Sequence, residues 1–372
     1  MKAIGIFPGD HTVRMVEHKE PKIQQPTDVK LQMLEVGVCG TDREICAFDY
    51  GSPPIGEDYL VLGHESLARV VEVGAGVNQL KVGDLAVTMV RRPCSHESCI
   101  PCRSNRQDFC ETGDFTERGI KDAHGFMTEF IVEDQQFLHV VPAAFRDVMV
   151  LVEPLTIAEK ALSQVWQVQQ RLPWACPVIP GKSPGYCHKA VVLGAGPVGL
   201  LGAMVLASAA FDTYVYSREP ATSSKAQLVA EIGATYVSGE THSIADLANV
   251  VGNIDVVYEA AGASVLSFEL MKFLGTNGIF IFTGVPGRKA PAEVDTDLIM
   301  RNLVLKNQVV FGTVNAGADA YEAAVRDLSL FMGRWPNAVR SLITGRYGID
   351  EYEGVLLQNP GGIKNVISVT KD

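Results

Sequence analysis

Residues 189–210 read KAVVLGAGPVGLLGAMVLASAA. A short apolar run, AVVL, ends in glycine and opens at once onto a second apolar run long enough for a helix. Between the two, Gly194-Ala195-Gly196-Pro197-Val198-Gly199 spells a full G-x-G-x-x-G. Such a motif means little by itself; a strand before it and a helix after it give it meaning. The glycines allow a tight turn and a close approach of the backbone to a pyrophosphate. The helix N-terminus adds unpaired N–H groups and the positive end of a dipole. The stretch predicts the first strand–helix unit of a dinucleotide-binding domain, with Gly194, Gly196, Pro197, Val198 and Gly199 against the cofactor.

Downstream, strands and helices keep alternating. TYVYS, IDVVYEAAG and GIFIFTGV read as strands and SSKAQLVAEIGA as a helix. Strands this apolar, separated by helices, imply a parallel sheet covered on both faces. Upstream the pattern differs. VKLQMLEVGV, ESLARVVEVGAG, DLAVTMV and MTEFIVE are valine-rich runs broken by turn residues, which predict a β-rich domain. A helix is expected in LVEPLTIAEKALSQVWQVQQ, starting at Glu153-Pro154, and a Pro/Gly-rich insert follows at 171–188. The tail adds a helix, ADAYEAAVRDLSLFM, and a strand in IKNVISVT. The expected architecture is α/β in two domains. Residues 1–188, completed by 316–372, form the β-rich domain, and residues 189–315 form a Rossmann doubly wound parallel sheet.

The end of the second Rossmann strand reads the ribose. An acidic residue there suits the 2′-hydroxyl of NAD. In YSREP that place holds Ser217 and Arg218, a hydroxyl and a guanidinium fork that suit a 2′-phosphate. Glu219 follows directly and reaches the ribose if the turn differs by one residue. The expectation is NADP as preferred cofactor with NAD as the alternative. Further cofactor candidates are Thr283, Gly284 and Asn315.

Cys94, Cys99, Cys102 and Cys110 stand in one polar stretch with C-x4-C-x2-C-x7-C spacing. Four thiolates on a short loop match the tetrahedral ligand set of a structural zinc; two disulfides or four free thiols are the alternatives. Cys39 in GVCGTD, His64 and Glu65 in GHES, and Glu153 in LVEPLT offer a second, mixed donor set. A catalytic zinc needs about three protein ligands and one open position. Cys176 and Cys187 flank the insert, and the sequence leaves their pairing open.

The net charge is −11 without an acidic block, which argues against nucleic acid or an anionic membrane as partner. No secretion signal heads the chain, and no apolar run has the length of a membrane span. Cysteines at metal-ligand spacing then point to a reducing cytoplasm.

GVCGTD, GHE before a valine-rich strand, the four-cysteine lobe, EPLT and GAGPVG occur in the order found in zinc-dependent medium-chain alcohol dehydrogenases. The resemblance spans essentially the whole chain. GDFTERGI, GFMTEF, LVEPLTIAEKAL, YSREP and VFGTVNA are similar to the glucose 1-dehydrogenase branch in particular. The resemblance implies a GroES-like catalytic domain and a Rossmann domain. It implies Cys39, His64 and Glu153 as ligands of the catalytic zinc, with Glu65 ligating directly or through water. It implies that Thr41, Asp42, Glu117, Glu153 and Asn315 meet a sugar. Thr41, two residues from Cys39, is a suitable first station for the departing proton, and Glu65 is the second catalytic candidate. The implied reaction passes hydride from C1 of an aldose, D-glucose first, to NADP or NAD. The rival readings are a polyol or L-threonine dehydrogenase and a Rossmann binding protein without chemistry. The implied assembly is a dimer or tetramer. The lobe departs from the wider superfamily in its first spacing, x4 for x2, and the 171–188 insert is longer than the usual link.

Overall fold

A computed structural model describes residues 1–287 and 291–370. The described residues divide into two compact units. One comprises Met1–Thr156, Asn315–Met332 and Val339–Asp372, the other Ile157–Val314 and Gly333–Ala338.

The first unit is built on the strand Asp28–Val38, long enough to pair with several neighbours. Antiparallel partners are Glu65–Val73, Phe130–Asp134 and Lys364–Ser368. Leu31, Met33 and Val36 from the long strand, Ala68 and Val70 from its neighbour, and Ile367 from the C-terminal strand are all fully buried in one core. Register decides what happens at the strand ends. Gly37 lies opposite Glu65, and Val38 opposite Asn365. The chain on either side, Cys39, His64 and Lys364, is thereby brought to one end of the sheet, although Lys364 lies 300 residues beyond His64 in sequence.

A smaller antiparallel ladder pairs Arg91–Arg92 with Thr116–Arg118. The four-cysteine lobe is the loop between these two strands. Its folding therefore bears directly on Glu117, which lies opposite Arg91.

The second unit contains a six-stranded parallel sheet. Its order is Thr235–Ser238, Asp212–Ser217, Lys189–Leu193, Ile254–Glu259, Leu274–Phe282, Val309–Gly312. Numbered along the chain this is 3-2-1-4-5-6, the doubly wound order that carries a dinucleotide at its reversal point. The strand GIFIFTGV has neighbours on both sides, and the two edges are Thr235–Ser238 and Val309–Gly312.

The expected domain boundary changes. Residues 157–188, assigned above to the first domain, belong to the second unit. Ala158, Ala161 and Val165 of the helix Val152–Gln169 pack with Gly202, Val205 and Tyr258 of the Rossmann sheet and its first helix. Trp166, Trp174, Phe211 and His188 stack together around the insert. The local periodicity announces the helix but not what it packs against. In that insert Cys176 and Cys187 form a disulfide.

Candidate active site

Two strand ends and one helix start supply the site in the first unit. Cys39 follows Asp28–Val38 and caps the helix Gly40–Cys46. His64 precedes, and Glu65 begins, the strand Glu65–Val73. Glu153 stands in the first turn of Val152–Gln169. Ligand atoms of Cys39, His64 and Glu65 lie within 4.8 Å of one another. The Glu153 carboxylate falls outside that group, yet it senses it. Burial pushes its carboxyl up to about 7, with the charges of Glu65 and Asp42 acting the same way against His64 and Lys364.

The fit of this group to a zinc ion is tested by its orphaned atoms. Thiolate, imidazole and carboxylate are ordinary zinc donors. His64 is 5% exposed, and its Nδ1 has no well-aligned hydrogen bond, only Asp42 Oδ1 at 3.3 Å. A carboxylate behind an imidazole is the arrangement that orients a metal-ligating histidine. Asp42, fully buried, accepts the Cys39 N–H through its other oxygen at 2.8 Å. Asp42 thus faces the His64 ring and the Cys39 backbone, and has no exposed surface for the sugar contact anticipated above. Burial opposes charge on His64, but Asp42 and Cys39 beside it hold its pKa well above the usual imidazole range.

Glu65 is positioned by two features. A side chain at Gly37 would put Cβ 2.0 Å from Glu65 Oε2, so only glycine leaves room for the carboxylate. Lys364, buried, donates to both Glu65 oxygens at 2.7 and 2.6 Å and to the Val38 carbonyl at 3.1 Å. No sequence motif marks Lys364; only the pairing of the C-terminal strand with Asp28–Val38 brings it here.

Glu117 and Asn315, both implied sugar contacts, meet each other. Asn315 Nδ2 donates to Glu117 Oε1 at 2.8 Å, and Arg91 Nε donates to the same oxygen at 3.0 Å. Asn315 has φ of 59°, a left-handed conformation that asparagine tolerates. Arg91 also donates to the Asp108 carbonyl of the lobe at 3.3 Å. Tyr50 lies near this pair: burial raises its phenol pKa, and the Glu117 carboxylate adds to the effect. Arg91 and Tyr50 escape sequence reading because nothing local to them signals the Glu117 environment. Thr41 stands, partly exposed, in the first turn of Gly40–Cys46.

In the lobe, Cys94, Cys99, Cys102 and Cys110 place their sulfurs within 4.8 Å of one another. None of the four is disulfide-bonded, which removes the disulfide alternative. A four-sulfur cage of this size fits a structural zinc.

In the second unit Gly194 takes φ of 106°, Gly196 caps the helix Pro197–Ser208, and Pro197 begins it. A Cβ on Gly199 would come 2.1 Å from the Gly194 carbonyl, so the turn closes only on glycine. The helix N-terminus is thus an open backbone cradle of the kind that takes a pyrophosphate. Ser217 ends its strand with its hydroxyl on Glu219, and Arg218 is exposed. Thr283 Oγ1 donates to the Glu259 carbonyl at 2.7 Å, and the Gly284 N–H points to Glu259 Oε2 at 3.2 Å. Glu259 also accepts from Ala261 and Gly262, so this buried carboxylate shapes the loops at that end of the sheet.

The chain matches two family models, the alcohol dehydrogenase GroES-like domain over residues 25–143 and the glucose dehydrogenase C-terminus over 146–369. It is 33% identical over 370 residues to glucose 1-dehydrogenase of Methanocella arvoryzae, covering 99% of both chains. With glucose 1-dehydrogenase of Metallosphaera sedula it shares 37% over 375 residues, covering 100% of this chain and 99% of the relative. Haloferax mediterranei glucose dehydrogenase, solved in complex with NADP, Zn and gluconolactone, superposes over 100% of both chains with a TM-score of 0.88 at 30% identity.

Proposed function

The chain belongs to the glucose 1-dehydrogenase branch of the zinc-dependent medium-chain alcohol dehydrogenases, and on that premise we propose that it oxidises an aldose at C1 with NADP or NAD. D-Glucose is the first substrate and glucono-1,5-lactone the product. The C1 hydrogen leaves as hydride to the nicotinamide, the C1 hydroxyl loses its proton, and the ring carbon becomes a carbonyl. The observation that carries this reading is the clustered Cys39–His64–Glu65 group, its imidazole and carboxylate buried, with Asp42 behind the imidazole.

Cys39, His64 and Glu65 would hold a catalytic zinc, with Glu153 as the neighbouring carboxylate. When bound, such an ion supplies Lewis acidity, which makes a hydroxyl far easier to deprotonate. The remaining work falls to side chains. Asp42 fixes the His64 ring, and Lys364 fixes Glu65. Thr41 takes the hydroxyl proton as its first station. Glu117, held by Arg91 and Asn315, offers its carboxylate to sugar hydroxyls. A site built around hydroxyl partners rejects substrates lacking them, because its buried polar groups would then go unpaired. Cys94, Cys99, Cys102 and Cys110 of the lobe would hold a second, structural zinc.

Gly194, Gly196, Pro197, Val198 and Gly199 receive the pyrophosphate, and Ser217 and Arg218 read the 2′-position, with NADP preferred. Among the described residues no helix is long and apolar enough to cross a membrane. A cytoplasmic location fits the six cysteines outside disulfides, five of them at the two zinc sites, while the Cys176–Cys187 disulfide counts against it. A homo-oligomer fits the edge strand Val309–Gly312 and the exposed Met300, Val304 and Leu305 of the nearby helix Thr296–Leu305.

A panel of aldoses, polyols and L-threonine assayed with both cofactors tests the reading. D-Glucose with NADP should give the highest kcat/KM. A preference for a polyol or L-threonine would overturn the substrate assignment.

A further inference from the structure

At the end of the strand Asp212–Ser217 the chain turns through 218–223 into the helix Ser224–Glu231. The Glu219 carboxylate lies in the middle of this turn. One oxygen accepts from the Ser217 hydroxyl, the other from Lys225 Nζ. The backbone here is pinned as well. Tyr236 Oη and Ser238 Oγ both donate to the Glu219 carbonyl, at 3.0 and 2.8 Å. Arg218 is exposed and makes no ion pair with any described residue. The ribose-reading position therefore holds a hydroxyl, an ammonium, a guanidinium and one carboxylate.

These groups serve two ligands in opposite ways. A 2′-phosphate near neutral pH carries close to two negative charges and wants hydroxyl, ammonium and guanidinium donors. Two of those donors are already taken by Glu219, whose negative charge would also repel the phosphate at close range. A ribose diol is neutral and donates to a carboxylate. Burial works against charge on Glu219, but the bonds from Lys225 and Ser217 hold its carboxyl below the usual range, so the anion is present at neutral pH.

We propose that Glu219 is a built-in counter-anion that sets this chain's balance between NADP and NAD, and that Lys225 is a phosphate-binding cation alongside Arg218. The phosphate enters by replacing the Glu219 carboxylate on Ser217 and Lys225, whereas the diol binds with that pair intact. The inference rests on the dinucleotide reading above and deepens it. It gives the chain a residue for each cofactor at one position, with Glu219 favouring NAD and Lys225 with Arg218 favouring NADP.

The test is calorimetric binding of 2′,5′-ADP and 5′-AMP to the zinc-loaded full chain, with Glu219→Gln and Lys225→Met. A charge-assisted hydrogen bond is worth roughly 1.5–3 kcal/mol, or about tenfold and more in affinity. Glu219→Gln should tighten 2′,5′-ADP about fivefold or more and weaken 5′-AMP, by removal of the competing charge. Lys225→Met should weaken 2′,5′-ADP about tenfold and leave 5′-AMP within about twofold. Melting curves on both variants check folding, and either one alone decides the matter. An unchanged ratio of the two affinities in a folded variant overturns the inference while leaving the dinucleotide site standing. If the wild-type chain binds neither fragment nor either whole cofactor, the dinucleotide reading itself fails and the inference with it.

Discussion

Lys364 Nζ lies 2.6 Å from Glu65 Oε2, and both side chains are 2% exposed. This buried pair joins the last strand of the chain to the metal-binding end of the sheet. Removing one partner of such a pair typically costs roughly 3–5 kcal/mol, because the other charge stays buried and uncompensated. Lys364→Met should therefore lower stability in chemical denaturation by that order, and Lys364→Arg should recover part of it. A loss below about 1 kcal/mol would show that Glu65 finds other compensation.

Gly37 should tolerate no side chain. With Cβ 2.0 Å from Glu65 Oε2, Gly37→Ala must push the carboxylate aside. The expected result is a folded protein with weakened zinc retention at the catalytic site, read by metal analysis after dialysis against a mild chelator. Retention equal to wild type would mean that Glu65 is not a ligand.

The lobe should affect sugar binding as well as stability. It connects the strands that carry Arg91 and Glu117, and Arg91 bonds to both Glu117 and the lobe. Cys99→Ser should lower the melting temperature, reduce zinc content by about one equivalent per chain, and raise the KM for the sugar several-fold at little change in cofactor affinity. A variant with normal KM would separate the lobe from the Glu117 site.

Acid stability should report on Glu133. Burial alone would push its carboxyl up, but the Arg118 and Arg92 guanidinium groups hold it down to about 2. A carboxyl depressed in the folded state contributes stability that is fully present above the unfolded value near 4.5 and is lost as pH falls towards 2. The contribution is on the order of 3 kcal/mol. Glu133→Gln should be less stable than wild type at neutral pH, and the gap should close between pH 5 and 2. A gap constant across that window would exclude this linkage.

What the sequence made legible was local. The glycine turn at 194–199 lies in one βα unit, so its motif and its context are read together. The cysteine lobe declares itself by spacing within a single loop. Cys39, His64 and Glu65 emerge from their own short motifs, although their closeness depends on strand register. Lys364 was invisible because it is a lysine in an ordinary strand, 299 residues from its partner Glu65. The resemblance implies a sugar contact for Asp42, but a family motif does not show which way a side chain faces, and the helix Gly40–Cys46 turns Asp42 inward onto Cys39 and His64. Glu117 and Asn315 were expected to meet one ligand; that they also bond to each other depends on a loop closure 198 residues long. Sequence order places residues 157–169 of the helix Val152–Gln169 with the first unit, but an apolar helix face fits any apolar surface, and tertiary packing chooses the second.

The most direct test of the central claim is turnover of D-glucose deuterated at C1, with NADP, by protein stripped of metal and then reloaded with zinc. The account predicts deuterium in the reduced nicotinamide, loss of turnover in the stripped protein while its fold persists, and recovery on adding zinc to wild type but not to Cys39→Ser. Full activity without metal, or reduced cofactor carrying no deuterium, would contradict it.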